Sequence, residues 1–322
     1  MLIKKKSAIL MAAMVISTSL LVTGCGQKKQ EELSQYKQQG IEAMNAGNYE
    51  DAVKAFDEAL KLQGTGIDEG TLDLCYYKAA AMYNSGQPAE AIDLYTAIIK
   101  YDESVADPYY LRGSVYLKEG EEEKMLADYE LAIELAENPY EMAIMISTNL
   151  SASGYDAQGR TFLQETLDMK GKSGDDYVGR GRVYLALKEY DKAETELQEA
   201  ASKKGKNAKI YLAQAYEMQG QKDEADKILS EYLKDDNPSS EALEALGNMK
   251  LEGGDYESAL KYYQSGLGCK TVANEQSLLR GEIAAYEYMG DYDTAKAKMI
   301  EYLAKYPGDA GAARENTFLQ TR

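Results

Sequence analysis

Eight times along the chain a turn residue is followed, often two places on, by Tyr and, five places on, by a small side chain. The blocks run Gly47–Ala52, Gly86–Ala91, Gly120–Met125, Gly154–Gly159, Lys188–Ala193, Gly220–Ala225, Gly254–Ala259 and Gly290–Ala295. Their closing residues lie 39, 34, 34, 34, 32, 34 and 36 positions apart. A period near 34 is that of a helix, a tight turn and a second helix, a unit too small to bury its own apolar face, so that neighbours must stack. The spacing therefore predicts an all-α fold, an α-solenoid of about eight helix pairs. A long coiled coil is the competing all-helical reading, but a glycine in every period would interrupt its heptads.

Within each period the side chains keep a second order. The first repeat has Tyr36, Gly40, Gly47, Tyr49, Ala52, Phe56 and Ala59, and the fifth has Tyr177, Gly181, Tyr184, Tyr190, Ala193, Leu197 and Ala200. The third has Leu111, Gly113, Tyr116, Gly120, Tyr129 and Ala132. From Leu33 to Pro307 the chain thus resembles a tetratricopeptide repeat array, a family with small residues at positions 8, 20 and 27, large ones at 4, 11 and 24, and Gly at 15. The resemblance implies that helices A and B of each repeat cross at small residues, with Gly40, Gly113, Gly181 and Gly247 facing Ala52, Met125, Ala193 and Ala259. Glycines at position 15 are expected to close helix A in the left-handed region, with Asn48, Asp255 and Asp291 as N-caps of helix B. Two repeats depart from the pattern: the fourth has Ser147 and Gly159 at positions 8 and 20, and the seventh has Lys250 where a large apolar residue belongs. Residues 308–322 read as a capping helix, with Phe318 and Leu319 covering the open end of the last repeat.

The N-terminus follows a different logic. Lys4, Lys5 and Lys6 precede the apolar run Ala8–Val22, and Leu21-Val22-Thr23-Gly24-Cys25 ends it. That order is a secretory signal over residues 1–24. Its last residues resemble the lipobox of bacterial lipoproteins, which implies that Cys25 carries diacylglycerol and that residues 25–32 form a short tether, at most ~25 Å long if extended. A single membrane span is the competing reading, but the run is short for one. The expected location is the extracytoplasmic face of the cell membrane, lipid-anchored through Cys25. The other cysteines, Cys75 and Cys269, lie five repeats apart, too far for a disulfide, and read as small buried apolar residues.

Residues 1–24 hold three Lys and no acid, which leaves 33 basic and 54 acidic side chains and a charge of about −21. Such a surface disfavours nucleic acid and favours a basic or neutral partner. The chain has no His and no Trp. The commonest general base, the commonest zinc ligand and the triads built on His are therefore excluded, and no enzyme activity, catalytic residue, metal or cofactor is expected.

The family resemblance implies a concave groove lined by helix A. Its positions here are Tyr76, Ala80, Tyr83 and Asn84 in the second repeat, then Asp107, Tyr110, Ser114, Leu117 and Lys118 in the third. The fifth adds Val178, Arg182 and Leu185, and the sixth Ile210, Gln214 and Glu217. Tyr76, Tyr83, Asn84, Tyr110, Lys118 and Arg182 are the expected partner-binding residues. The clamp by which some members hold a C-terminal carboxylate is not expected, because only Lys37 matches it and Ile41, Tyr77, Asp107 and Leu111 replace the rest. These features point to a membrane-anchored scaffold that binds an envelope or extracellular protein or peptide. A solute- or glycan-binding lipoprotein of an uptake system is the alternative, weakened by the absence of Trp.

Overall fold

The structure, a computed structural model, describes residues 24–64, 66–169, 171–235, 238–306 and 309–320. The expected signal segment lies outside them apart from Gly24. The described residues form seventeen helices and no strand. They pair in order: α1 (Gly24–Asn45) with α2 (Tyr49–Gln63), α3 (Glu69–Asn84) with α4 (Pro88–Tyr101), α5 (Asp107–Glu119) with α6 (Glu122–Leu135), and α7 (Pro139–Ala152) with α8 (Asp156–Thr166). Then come α9 (Gly174–Ala186) with α10 (Tyr190–Ser202), α11 (Ala208–Met218) with α12 (Lys222–Asp235), α13 (Ser240–Glu252) with α14 (Tyr256–Leu267), and α15 (Glu275–Tyr288) with α16 (Tyr292–Lys305). A last helix, α17 (Ala310–Leu319), follows alone. The helices pack on their partners and neighbouring pairs pack on one another, as a solenoid requires, and the first and last helices, α1 and α17, also touch.

Every intra-pair turn holds one residue in the left-handed region. Gly47, Gly86, Gly120, Gly154, Gly220, Gly254 and Gly290 have φ between 73° and 83°, and in the fifth pair Lys188 takes φ 62°. Only glycine adopts that backbone without a Cβ penalty, so the pattern in the sequence is a pattern of backbone need. Asp255 and Asp291 accept from the backbone N–H of Ser258 and Thr294 and cap α14 and α16. Asn48 differs from expectation: it occupies the N-cap of α2, but its side chain makes no capping bond. The longer first junction ends in a capping box, where Asp68 and Thr71 each bond the other's backbone.

The helix crossing also differs from expectation in one respect. A Cβ on Gly40, Gly113, Gly181 or Gly247 would meet first not position 20 but the large side chain at position 24, namely Phe56, Tyr129, Leu197 or Tyr263. At Gly113 the approach would be 2.9 Å from the Tyr129 ring. The glycine thus makes room for a bulky side chain laid flat across helix A, while Ala52, Met125, Ala193 and Ala259 are fully buried beside it. The fourth pair inverts the device, since a Cβ on Gly159 would lie 2.9 Å from Ser147 Oγ.

At the ends, residues 25–32 are not an extended tether but part of α1. Their rise is then ~1.5 Å per residue, about half the extended reach. Leu319 is fully buried with Ala312, Met299 and Tyr302, as a cap should be. Phe318, expected beside it, is instead 47% exposed, because consecutive helical residues point about 100° apart. Cys75 and Cys269 are free thiols, each half-buried, and burial pushes the Cys75 thiol up.

Candidate partner-binding groove

Odd-numbered helices lie side by side along the array and line two adjoining clefts. One cleft of about 480 Å³ crosses four repeats, with Ile144 from α7, Arg182 and Leu185 from α9, Tyr211, Gln214 and Met218 from α11, and Asn248, Met249 and Glu252 from α13 among its walls. A second, about 590 Å³, adjoins it at the sixth and seventh repeats. Leu185, Met218 and Met249 give the floor an apolar, adaptable surface, and Met218 is 54% exposed.

The charges in this region are largely paired, and unevenly. Arg182 donates to Glu141 of α7 and lies 4.8 Å over the Tyr211 ring of α11, so it brackets three successive repeats. Burial opposes its charge, but the Glu141 bond and the neighbouring Tyr211 and Glu141 hold its pKa above the ordinary value. Lys250, 4% exposed, donates to Glu217 and Asp226 of the sixth pair, and the same balance of burial against two acids leaves its pKa raised. Lys37 of α1 bonds Asp73 of α3. Arg280 of α15 bonds Glu315 of α17. Of these, Arg182 and Lys250 line the two clefts and are neutralised, exposed Lys222 lies near Asp255, and Glu252 stands exposed. The cleft therefore presents net negative charge to an incoming chain.

The six expected residues fall in two places. Arg182 alone lines the large cleft. Tyr76 and Tyr83 pack against the buried residues of the second and third repeats, and burial, with Asp107 next in effect, raises the Tyr76 hydroxyl pKa. Tyr110 stacks on Tyr129 at a centroid distance of 6.0 Å. Beneath it Ser114 and Tyr129 share a hydrogen bond of 3.2 Å, and Asn149 of the next repeat donates to both. Asn84 donates to the Ala80 carbonyl of its own helix at 2.8 Å, and Lys118 reaches across to Ser153 Oγ at 3.1 Å. Of the wider groove positions, Leu117, Val178 and Ile210 are buried. Met218, Asn248, Met249 and Glu252 were missed. Met218 stands two residues before the turn Gly220, the register of Asn84 and Lys118, so the positional rule reaches it, and extended to the seventh repeat it also reaches Asn248 and Glu252. Nothing in the sequence marks the depth at which the two methionines sit.

Tetratricopeptide repeat models match residues 37–83, 106–139, 184–249 and 283–309. The divergent fourth repeat lies between matched stretches. The chain is 30% identical over 127 residues to the tetratricopeptide repeat and J domain-containing co-chaperone DNJ1 of Cryptococcus neoformans, which is 39% of this chain and 23% of that protein. It thus spans about a quarter of that relative's length. Among solved structures it is similar to a tetratricopeptide repeat protein from Parabacteroides merdae, at 16% identity and a TM-score of 0.40, over 79% of this chain and 99% of that one. It is also similar to the C-terminal part of a repeat protein from Cytophaga hutchinsonii, at 15% identity and a TM-score of 0.37, over 79% and 98%. The turn backbone, the order of helix pairs and the four family-model matches agree: the solenoid is built of tetratricopeptide repeats, with eight helix pairs among the described residues.

Proposed function

We propose that the protein is a lipid-anchored scaffold that holds an extended, basic segment of another protein in the cleft over repeats four to seven. The observation that carries this reading is the cleft itself, about 480 Å³ with a methionine floor, a net acidic wall and an exposed Glu252. A charge of about −21 on residues 25–322 supplies the same bias at long range, drawing basic partners and repelling acidic ones. Peptides selected from a random library against the intact array should be rich in Lys and Arg. Because Met218 and Glu252 are exposed, Met218→Ser with Glu252→Lys should leave the fold intact and weaken those peptides about thirtyfold, ~2 kcal/mol. Selected peptides without basic residues, or binding indifferent to the double change, would overturn the assignment.

The anchor follows from the N-terminal residues. Cys25 lies in the first turn of α1, so an acyl chain on its thiol would hold the first repeat within roughly one helix length of a membrane. Cys25→Ser removes the only atom that could carry diacylglycerol there. The variant should stop labelling with radioactive palmitate and leave the membrane fraction; continued labelling would show the lipid to be elsewhere.

A further inference from the structure

The junction between the last repeat and α17 contains an unbalanced set of charges. Arg280 of α15 gives its Nη2 donor to Glu315 of α17, faces Met299 Sδ of α16 with Nη1 at 3.8 Å, and lies 5.6 Å over the Tyr302 ring. Tyr302 donates to Asp309 Oδ2 at 2.6 Å, and Asp309 Oδ1 caps α17 through the Ala312 N–H at 2.9 Å. Glu287, two turns beyond Arg280 on α15, faces the same Glu315, and its Oε1 is buried with no hydrogen-bond partner. Two carboxyl groups from two helices thus meet over one guanidinium.

The other charged groups nearby are committed elsewhere. On α16, Lys298 pairs with Glu282 and Lys305 with Glu275. On α13, Glu244 accepts from Asn274 and Lys250 is held by Glu217 and Asp226. On α14, Gln264 donates to Glu282, and Tyr256 stacks on Tyr288. The charged groups that shift Glu287 are Glu315 and Arg280, and on α1, which touches α17, Lys28 pairs with Glu32 and Lys37 with Asp73.

We propose that Glu287 is a protonation latch for the capping helix: as the acid it donates its proton to Glu315 and holds α17 on the last repeat, and as the carboxylate it repels Glu315 and loosens the helix. The proton leaves to water and no other bond changes. Burial first, and Glu315 second, push the Glu287 carboxyl up to about 7. A carboxyl raised in the folded state stabilises fully below its unfolded value of about 4.5, and that contribution is gone once the pH has risen through 7. Loosening α17 uncovers Leu319, Ala312 and Tyr302, the apolar end of the solenoid. It also reshapes a concave pocket of about 430 Å³ whose walls include Arg280, Tyr302 and Asp309, so the last stretch of the groove would respond to pH.

Hydrogen exchange of the α17 amides in the full chain, corrected for the intrinsic rate at pH 5, 6, 7 and 8, tests the latch. The opening constant of wild type should rise by on the order of tenfold or more between pH 5 and 7 and then level off, following one proton. Asp309, whose carboxyl lies below its ordinary value, works in the opposite sense at lower pH, so the comparison is made against Glu287→Gln. The amide donates as the acid does and cannot ionise. Its α17 should stay protected with no rise over this range, and Glu315→Gln should flatten the rise as well. A wild-type opening constant that does not rise, the same rise in Glu287→Gln, or an α17 unprotected in that variant at every pH would each overturn the proposal.

Discussion

Tyr263→Ala should lower the stability of the array by about 3–5 kcal/mol. Tyr263 is fully buried on α14, and its ring lies between two glycines of neighbouring helices. A Cβ on Gly247 of α13 would strike that ring, and one on Gly281 of α15 would come within 2.5 Å of it. The ring is therefore the packing that joins the seventh repeat to the eighth. Truncation leaves a void between Gly247 and Gly281, whose backbones carry no side chain to fill it, so only the surrounding Leu278 and its neighbours could relax into it. The hydroxyl donates to Asn248 Oδ1 at 2.7 Å, and burial pushes its pKa up to about 12, so it stays a donor throughout the usual pH range. Tyr263→Phe removes only that bond and should cost about 1 kcal/mol. Urea unfolding followed by helical circular dichroism, with exchange protection of α13 to α16, measures both. An alanine variant no less stable than the phenylalanine variant would mean that the ring does not join the two repeats.

Glu217→Ala and Lys250→Met should act in opposite ways although they break the same contact. Lys250 stands at a position where the repeat favours a large apolar side chain, and it is buried against Glu217 of α11 and Asp226 of α12. Removing Glu217 leaves the buried ammonium with Asp226 alone, at 3.5 Å and more than half exposed, which should cost about 3 kcal/mol. Lys250→Met removes the buried charge and keeps the volume. The carboxylates it frees are open enough to be hydrated, Asp226 more than Glu217, so the change should cost under about 1 kcal/mol or stabilise the joint. Paired melting curves decide the matter. Equal destabilisation by the two variants would show that the ion pair is a net stabiliser and that the position has lost its apolar character.

The same two residues show where sequence reading stops. Lys250 is visible as an exception to its repeat, because the repeat is local and periodic. Its partners lie 33 and 24 positions earlier, and they meet it only because α11, α12 and α13 stack as they do. Arg182 stands out as a basic residue at a groove position, but its engagement with Glu141, 41 positions away, depends on the superhelical offset between repeats. Tyr76 and Tyr110 were placed on the groove by the positional rule, whereas the packing of adjacent helices decides how much of each ring remains to meet a partner.

Where the physical cause is confined to a few bonds, the sequence is sufficient. A left-handed residue must close each first helix, and seven of the eight turns use glycine, so the turns, the helix pairs and their number are written in order along the chain. Small residues at positions 8 and 20 announce that two helices cross there. Which side chain crosses which glycine was not legible: Phe56, Tyr129, Leu197 and Tyr263 take the place expected of the small residues. The choice rests on the angle and depth of the crossing, which is a compromise among all the side chains packed between two helices and belongs to no one of them. The sequence by itself determined the solenoid and the register of its turns. Only the tertiary structure decided which charges in that groove are cancelled and which remain, because ion pairs form between residues that stacking brings together from adjacent repeats.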